Sequence, residues 1–582
     1  MRQQGNPRQL ATWLQQAIAL QQNGALSDAE EIYREILAQR PRHFDALQLL
    51  GALALQTGRI EEGAQLLQRA IDIDGSRAPL HSNLAFALNA LGRPREALGS
   101  ASRALALKPG FPDALNNRGM ALAALDRPDE ALASFDQALA AKPDFAAAWN
   151  NRSCALRDLG LAAEALASCD AALKLGPNYA QAWSNRGNAL SDLNRPLEAQ
   201  ASYARALELA PDFVDAWNNL GLTFVDLNRH ADALESYERA LALAPQAVET
   251  RWNRALCLLQ LGRLDDGWAE YEWRWQRKRI AAGSRAFDAP QWRGDAPLDG
   301  KTILLHAEQG LGDTLQFCRY ASLVAQRGAR VILEMQPELM RLLRDLDGVA
   351  ELIEHGAPLP RFDYHCPLLS LPLALHTTLD TIPATVPYLH ADHEDAERFR
   401  VRIDEAMNGA DAGALKVGLV WAGGARAHVP ELRKNDARRS LAFEQLAPIL
   451  DVPHVRFFSL QKGAAATQLR EAQAGQRALQ AAARRIVDWT DDLQDFADTA
   501  ALVANLDLVI SVDTSTAHLA GAMNRPVWIL NRLDTCWRWM LEREDSPWYP
   551  SARLFRQPSL GDWTTVLAAV AHALRERATA AR

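Results

Sequence analysis

Six asparagines stand at one interval through the first half of the chain: Asn83, Asn117, Asn151, Asn185, Asn219 and Asn253, each 34 residues after the last. A fixed period of this length means one small structural unit used again and again, and stacked units set equivalent positions above one another, so that a repeated residue type becomes a stripe. Other rows share the period: Pro109, Pro143, Pro177, Pro211 and Pro245; Ala97, Ala131, Ala165, Ala199 and Ala233; Trp149, Trp183 and Trp217. Proline ends a helix, because it lacks the amide proton and clashes with the preceding turn. Alanine, like Gly119, Gly187 and Gly221, lets two helices approach closely. The rows predict about eight helical hairpins over residues 9–280, the first two degenerate, with Leu49 at the asparagine position of the second.

Segments such as Asp215-Ala216-Trp217-Asn218-Asn219-Leu220-Gly221 resemble the first-helix signature of the tetratricopeptide repeat (TPR). In that family the asparagine position faces the inside of the superhelix. An amide offers both a donor and an acceptor, the pair needed to hold the backbone of an extended peptide. The six asparagines are therefore the expected contacts to a protein acceptor, with support of hairpin stacking as the alternative. Each neutral hydrogen bond contributes only about 0.5–1.5 kcal/mol net, and fixing a peptide residue costs a comparable amount, so capture by this row alone would be transient. The tryptophans read as packing residues.

Composition sets the remaining bounds. With 48% hydrophobic and 23% charged residues over 582 positions the chain has globular composition, and its formal net charge of -8 excludes a general nucleic-acid binder, which needs a basic surface. Cys154, Cys169, Cys257, Cys318, Cys366 and Cys536 show neither CxxC spacing nor a dense framework, which suits a reducing compartment. The glutamine-rich start carries no apolar signal core, and no apolar run of membrane-spanning length occurs. The expected location is cytoplasmic.

The period breaks near residue 280. Glycine and proline mark a linker at 281–300, and short apolar strands then alternate with helices, the pattern of parallel sheets covered on both faces. The chain is expected to be α + α/β: a TPR solenoid, a first Rossmann-like lobe at 301–385, an inter-lobe linker at 386–412, and a second lobe at 413–575. Ligands of such sheets sit beyond the carboxyl ends of the strands. Two polar turns lie there: Glu308-Gln309-Gly310-Leu311-Gly312-Asp313-Thr314, and Asp513-Thr514-Ser515-Thr516-Ala517-His518. The first lacks both the Gly-Lys-Ser/Thr ending of a P-loop and the dinucleotide fingerprint.

Residues 290–575 resemble the GT-B glycosyltransferases of the bacterial heptosyltransferase type, through Gly312-Asp313 and through Asp513-Thr514 followed by His518. The whole architecture is similar to TPR-containing protein O-glycosyltransferases, including enzymes that modify flagellin. The resemblance implies transfer of a sugar from a nucleotide-activated donor to Ser or Thr of a protein acceptor, inverting and without metal or cofactor. Asp313 would be the base. Gly310, Gly312, Asp513, Thr514, Ser515 and His518 would hold the donor. Cations are expected in the loop after the first strand of the second lobe, where Lys434, Arg438 and Arg439 share the assignment, and Gln461 and Lys462 are further candidates for nucleotide contact. A carboxylate in the cleft suits removal of the acceptor hydroxyl proton, and fixed donors stabilise the leaving phosphate. Plain alternatives stand beside each role: Asp313, Asp513, Thr514 and Ser515 as helix caps, His518 as a packed residue, the arginine-lysine run as a solvated loop. A non-catalytic TPR adaptor with a degenerate GT-B region, and transfer to a glycan or lipid, are the competing functions. Fold does not choose the sugar: ADP-heptose and a CMP-linked nonulosonic acid both stay open.

Overall fold

The computed structural model describes residues 7–277, 285–407, 413–424, 430–476 and 479–580, with side chains at all of these except 7 and 430–434. Parts of the expected segments, 278–284 and 408–412, lie outside the described residues, as does the side chain of Lys434. The chain divides into two compact units, Met1–Ala216 and Trp217–Arg582.

Sixteen α-helices run from Pro7 to Tyr271 among the described residues, and consecutive helices pair as hairpins. Their sequence logic is visible at each end. Second helices begin on Pro94, Pro128 and Pro196, where the missing amide proton costs nothing. They end at Leu107, Ala141, Leu175, Leu209 and Leu243, two residues before the prolines of the 34-residue row. Between the helices of each hairpin one residue takes the left-handed conformation: Gly24, Gly58, Gly92, Asp126, Gly160, Asn194, Asn228 and Gly262, with φ between 59° and 80°. Only glycine, or a short polar residue, occupies that region at little cost. These eight positions are also 34 apart and count eight repeats, the degenerate first two included.

Packing inside a hairpin relies on small residues. A Cβ on Gly119 would lie 2.5 Å from the Phe135 ring, and one on Gly187 would lie 2.6 Å from the Tyr203 ring, so these glycines make room for the aromatic side chain of the second helix. Trp149 and Trp183 donate their indole protons to Pro143 O at 2.9 Å and Pro177 O at 2.8 Å, which closes one repeat onto the turn before it.

The division at Ala216/Trp217 differs from the boundary near residue 280 that the loss of periodicity suggests. Side chains of the last repeat belong to the core of the sheets: Ala255, Leu259, Leu264, Trp268 and Tyr271 pack in one buried cluster with Leu305, Phe317, Trp537 and Trp548. Trp268 meets Trp537 edge to face at 5.2 Å. Gln260 donates to Thr535 O at 2.6 Å, within buried surroundings. The period ends at 280 because the next segment no longer forms hairpins, whereas packing changes earlier, where the aromatic repeat residues find a sheet to cover them.

Two wholly parallel sheets follow. The first contains β1 (Thr302–His306), β2 (Arg330–Met335), β3 (Val349–Glu354) and β4 (Tyr364–Pro367) in the order β3-β2-β1-β4. The second contains β5 (Leu415–Val420), β6 (Val455–Ser459), β7 (Leu508–Val512), β8 (Val527–Asn531) and β9 (Ala552–Arg556) in the order β6-β5-β7-β8-β9. β1, β7 and β8 are nearly continuous apolar runs, as strands covered on both faces must be. Strand order reverses at β1, between β2 and β4, and at β5, between β6 and β7. These are the switch points where open sheets bind ligands.

Arginines tie the two sheet regions together. Arg319 donates to Pro383 O at 3.0 Å, to Trp548 O at 2.8 Å and to the Tyr388 hydroxyl at 2.6 Å. Arg341 pairs with Asp395 at 2.6 Å and with Asp495 at 2.9 Å.

Candidate functional site

The turn after β1 and the turn after β7 meet. Leu311–Phe317 is a short helix opened by Gly310, and Ser515–Ala522 is a helix opened by Thr514. Their contact is close: a Cβ on Gly312 would lie 3.0 Å from His518 Cδ2 and 3.5 Å from Ser515 Cα. A side chain at Gly312 would require the buried His518 ring to give by a few tenths of an ångström, so glycine suits this close approach.

Asp313 lies at this junction with its side chain 19% exposed. Its Oδ2 accepts the Gly310 amide proton at 2.8 Å, the geometry of a capping box, and its Oδ1 accepts Nη2 of Arg538. The cap role and a place at the junction of the two turns thus coexist. Arg538 belongs to the turn Trp537–Trp539 beyond β8 and is 8% exposed. Its Nε donates to Gln316 Oε1 at 2.7 Å, and its guanidinium sits 4.2 Å from the Trp537 ring centroid.

His518 is buried against Trp539, stacked at 5.2 Å, with Nδ1 2.9 Å from the Tyr549 hydroxyl and Nε2 4.0 Å from Asp513 Oδ1. Burial pushes the imidazole down to about 3, against the opposing charge of Asp513, so it is neutral near pH 7. It is a packed residue at the rim of the site rather than a cation. Asp513, Thr514 and Ser515 are partly exposed at the mouth. Thr514 Oγ1 stands 2.9 Å from Ser511 Oγ, and Asp513 O accepts Nη1 of Arg439 at 3.1 Å. Arg439 also pairs with Asp436 at 2.8 Å, and its guanidinium crosses the backbone of Gly423 beyond β5. Arg439 is thus the member of the basic run that the structure brings to the Asp513 turn.

Three other expected donor contacts have different work. Arg438 is held between Asp226 and Asp534, at 2.8 Å from each, so its charge joins the seventh repeat to the loop after β8. Gln461 accepts from Trp421 N at 3.0 Å and Ala422 N at 2.8 Å and donates to Ala422 O and Lys462 O, which saturates its amide. The Lys462 ammonium donates to Thr490 O and Leu493 O at 2.7 Å each. Sequence spacing places these residues after the right strands. Only the folded backbone shows that carbonyls and carboxylates already occupy them.

The asparagine row makes the bonds that the stacking alternative calls for. Asn117 Nδ2 donates to Ser82 O at 2.9 Å, Asn151 to Asn116 Oδ1 at 3.0 Å, Asn185 to Asn150 Oδ1 at 2.9 Å and Asn253 to Asn218 Oδ1 at 3.0 Å. Each partner lies 35 positions earlier, on the first helix of the preceding repeat. Asn219 accepts from Asn218 at 3.2 Å, and Asn83 is half-buried at the first rung. The amide donors hold one repeat to the next, because a buried donor needs a partner and a neighbouring polar residue supplies it. The signal was present in the sequence as the polar row directly before the first five asparagines: Ser82, Asn116, Asn150, Ser184 and Asn218. Replacing Asn117, Asn151 and Asn185 together by alanine is expected to lower the urea midpoint of the repeats, at about 1–3 kcal/mol for each buried partner left unsatisfied. An unchanged midpoint accompanied by lost acceptor capture would return the row to the acceptor.

A second ion-pair cluster supports the first turn. Arg274, fully buried, grips Glu308 through Nε at 3.1 Å and Nη2 at 3.0 Å, and bonds Glu272 at 2.6 Å and Ser370 at 2.7 Å. Burial pushes the Glu308 carboxyl up while Arg274 opposes it. Neither Arg274 nor Arg538 is marked by a motif.

Fold and site together define a chain with a repeat solenoid followed by two parallel α/β sheets whose switch-point turns converge. The tetratricopeptide repeat family matches residues 14–78, 84–144, 121–180, 184–247 and 220–278, which makes the N-terminal part a TPR array with the protein-interaction role such repeats serve. Protein FlbA of Caulobacter vibrioides is 27% identical over 328 residues, 53% of this chain and 52% of that protein. The chain spans about half the length of this curated relative. Similar solved structures include the APC/C hetero-tetramer Cut9-Hcn1, 16% identical at TM-score 0.38 over 42% of this chain and 48% of that one. A tetratricopeptide repeat protein from Parabacteroides merdae is likewise 16% identical, at TM-score 0.37 over 43% of this chain and 99% of that one. Among the described residues no helix is long and apolar enough to cross a membrane.

Proposed function

We propose that the chain is a protein O-glycosyltransferase with a GT-B catalytic region, in which the TPR array engages an acceptor protein and the paired turns transfer a sugar from a nucleotide donor to a Ser or Thr hydroxyl. The observation that carries this reading is the meeting of Gly312 with Ser515 and His518 at the carboxyl ends of β1 and β7, with Asp313 partly exposed beside them. In the reaction the acceptor oxygen attacks the anomeric carbon as the bond from that carbon to the phosphate oxygen breaks. The hydroxyl proton passes to the Asp313 carboxylate, and the electron pair leaves with the nucleotide phosphate. The single displacement inverts the anomeric centre. This reading assigns the donor to Arg439 and the partly exposed Asp513–Ser515 turn, which Arg439 joins through Asp513 O. Flagellin is the first acceptor to try, by resemblance alone.

The test is Asp313→Asn, which preserves shape and the Gly310 contact while removing the base. Purified full chain is incubated with candidate acceptors and a panel of activated sugars, and transfer is read by intact mass. The variant is expected to keep its fold and acceptor binding and to lose about 10²–10⁴-fold in rate, the range for a general base. Full activity in Asp313→Asn sinks this mechanism. A second reading, a non-catalytic adaptor, is favoured by the engagement of Arg438, Gln461 and Lys462 in internal bonds. It predicts acceptor binding without mass increase for any sugar in the panel.

A further inference from the structure

Asp313 cannot serve as an unencumbered base while Arg538 holds it, and the surroundings of Arg538 explain why the pair exists. Asp313 follows β1 in one sheet and Arg538 follows β8 in the other, so their bond joins segments that follow the carboxyl ends of strands in both sheets. Among the described residues Asp313 is the one carboxylate paired with Arg538. The other guanidinium partners are the neutral Gln316 Oε1 and Cys536 Sγ, the latter at 3.3 Å and a weak acceptor. Gln316, which orients Arg538 and is itself fully buried, leaves its Nε2 donor without a partner among the described residues. A buried donor without a partner calls for an explanation, of which a bound water or ion is one.

The loop that carries Arg538 is also held in a costly shape. Met540, two residues on, has φ 50° and ψ -166°, and Glu542 has φ 52°; neither is glycine. Such conformations persist where surrounding structure imposes them, and they gather at ligand clamps. Trp537 under the guanidinium and Trp268 against Trp537 supply that constraint.

We propose that Arg538 is a phosphate receptor whose resting partner is Asp313: the donor's diphosphate exchanges for the carboxylate on the guanidinium and releases Asp313 to accept the acceptor proton. The proposal rests on the transferase reading for the second half of that exchange, while the first half is a binding equilibrium. A guanidinium fork matches phosphate oxygens as well as it matches a carboxylate, and a diphosphate brings more charge than Asp313. The exchange keeps the Asp313 oxygen occupied in an empty site and frees it in a donor-filled one, which guards against deprotonation without a sugar to transfer.

Inorganic pyrophosphate is the probe, titrated calorimetrically into the full chain. Arg538→Gln is expected to weaken binding about 10–100-fold, as loss of a charged hydrogen-bond pair does. Asp313→Asn is expected to tighten binding about tenfold, because the competing charge is gone. In the Arg538→Gln background the Asp313→Asn gain should vanish. A structural ion pair would give the opposite sign at Asp313, so unchanged or weaker binding by Asp313→Asn overturns the proposal, as does undiminished binding by Arg538→Gln. Asp313→Asn is nearly isosteric and carries the sign test by itself if Arg538→Gln does not fold. Competition seen in a protein that transfers no sugar would reject the transferase reading and leave the receptor standing. Transfer without competition would do the reverse.

Discussion

Arg274→Met is expected to destabilise the sheet-bearing unit by about 3–5 kcal/mol, because it leaves the Glu308 carboxylate buried without a counter-charge. Arg274 is 0% exposed and makes two bonds to Glu308, one to Glu272, one to Ser370 and one to the Tyr271 carbonyl at 3.2 Å. Methionine fills similar volume but satisfies none of them. The Glu308 side chain is 5% exposed and stands two residues before Gly310, so the same change loosens the turn that presents Asp313. The measurement is the guanidinium midpoint followed by tryptophan fluorescence, for Arg274→Met and for Arg274→Met with Glu308→Gln. Removing the second charge should restore part of the loss, since an unpaired neutral amide costs less to bury than an ion. Equal midpoints for the two variants would mean that the damage comes from lost packing, and the electrostatic account would be wrong.

What the sequence disclosed and what it hid follow from the range of each interaction. Hairpins, their number and the two strand series depend on local spacing, so rows such as Ala97 to Ala233 and apolar runs such as Thr302–His306 declare them. The left-handed row from Gly24 to Gly262 was equally local, yet it alternates among glycine, aspartate and asparagine and so hides from a search for one residue type. The asparagine row was plain to see, but its role turned on what lies 35 residues earlier in space. Convergence of the two polar turns was expected from the resemblance, and Gly312 against His518 gives it a geometric form. Arg538 and Arg274 were invisible because each is a lone arginine in an aromatic stretch, given meaning by residues 225 and 34 positions away. Arg438, Gln461 and Lys462 followed the right strands and were taken by backbone carbonyls or carboxylates that no spacing rule reveals.

Acid should unfold the sheet-bearing unit through two histidines. Burial pushes His518 down to about 3, and burial together with neighbouring His365 and Arg274 pushes His306 down to about 3. In the unfolded chain both titrate near 6.5. The folded pKa is the lower one, so below about 6.5 the unfolded chain binds more protons, and stability falls as the pH drops from about 6.5 towards about 3. Above 6.5 both states are neutral and these groups add no slope. Each pH unit inside the window costs about 1.4 kcal/mol per histidine, a large fraction of the stability of most domains. The environments explain why neither group takes up its proton in place. His518 lies between Trp539 and Tyr549, and His306 Nε2 meets His365 Nδ1 at 3.2 Å beside the Phe287 ring. Unfolding free energy measured from pH 7.5 to pH 4 for the wild type, His518→Gln and His306→Gln checks this. Whatever lost packing does to its level at pH 7.5, each variant's curve should be flatter below 6.5 by the share of the histidine removed. Curves that run parallel to the wild type would show that both imidazoles accept protons inside the fold, and that acid sensitivity comes from carboxylates such as those paired with Arg341 and Arg538.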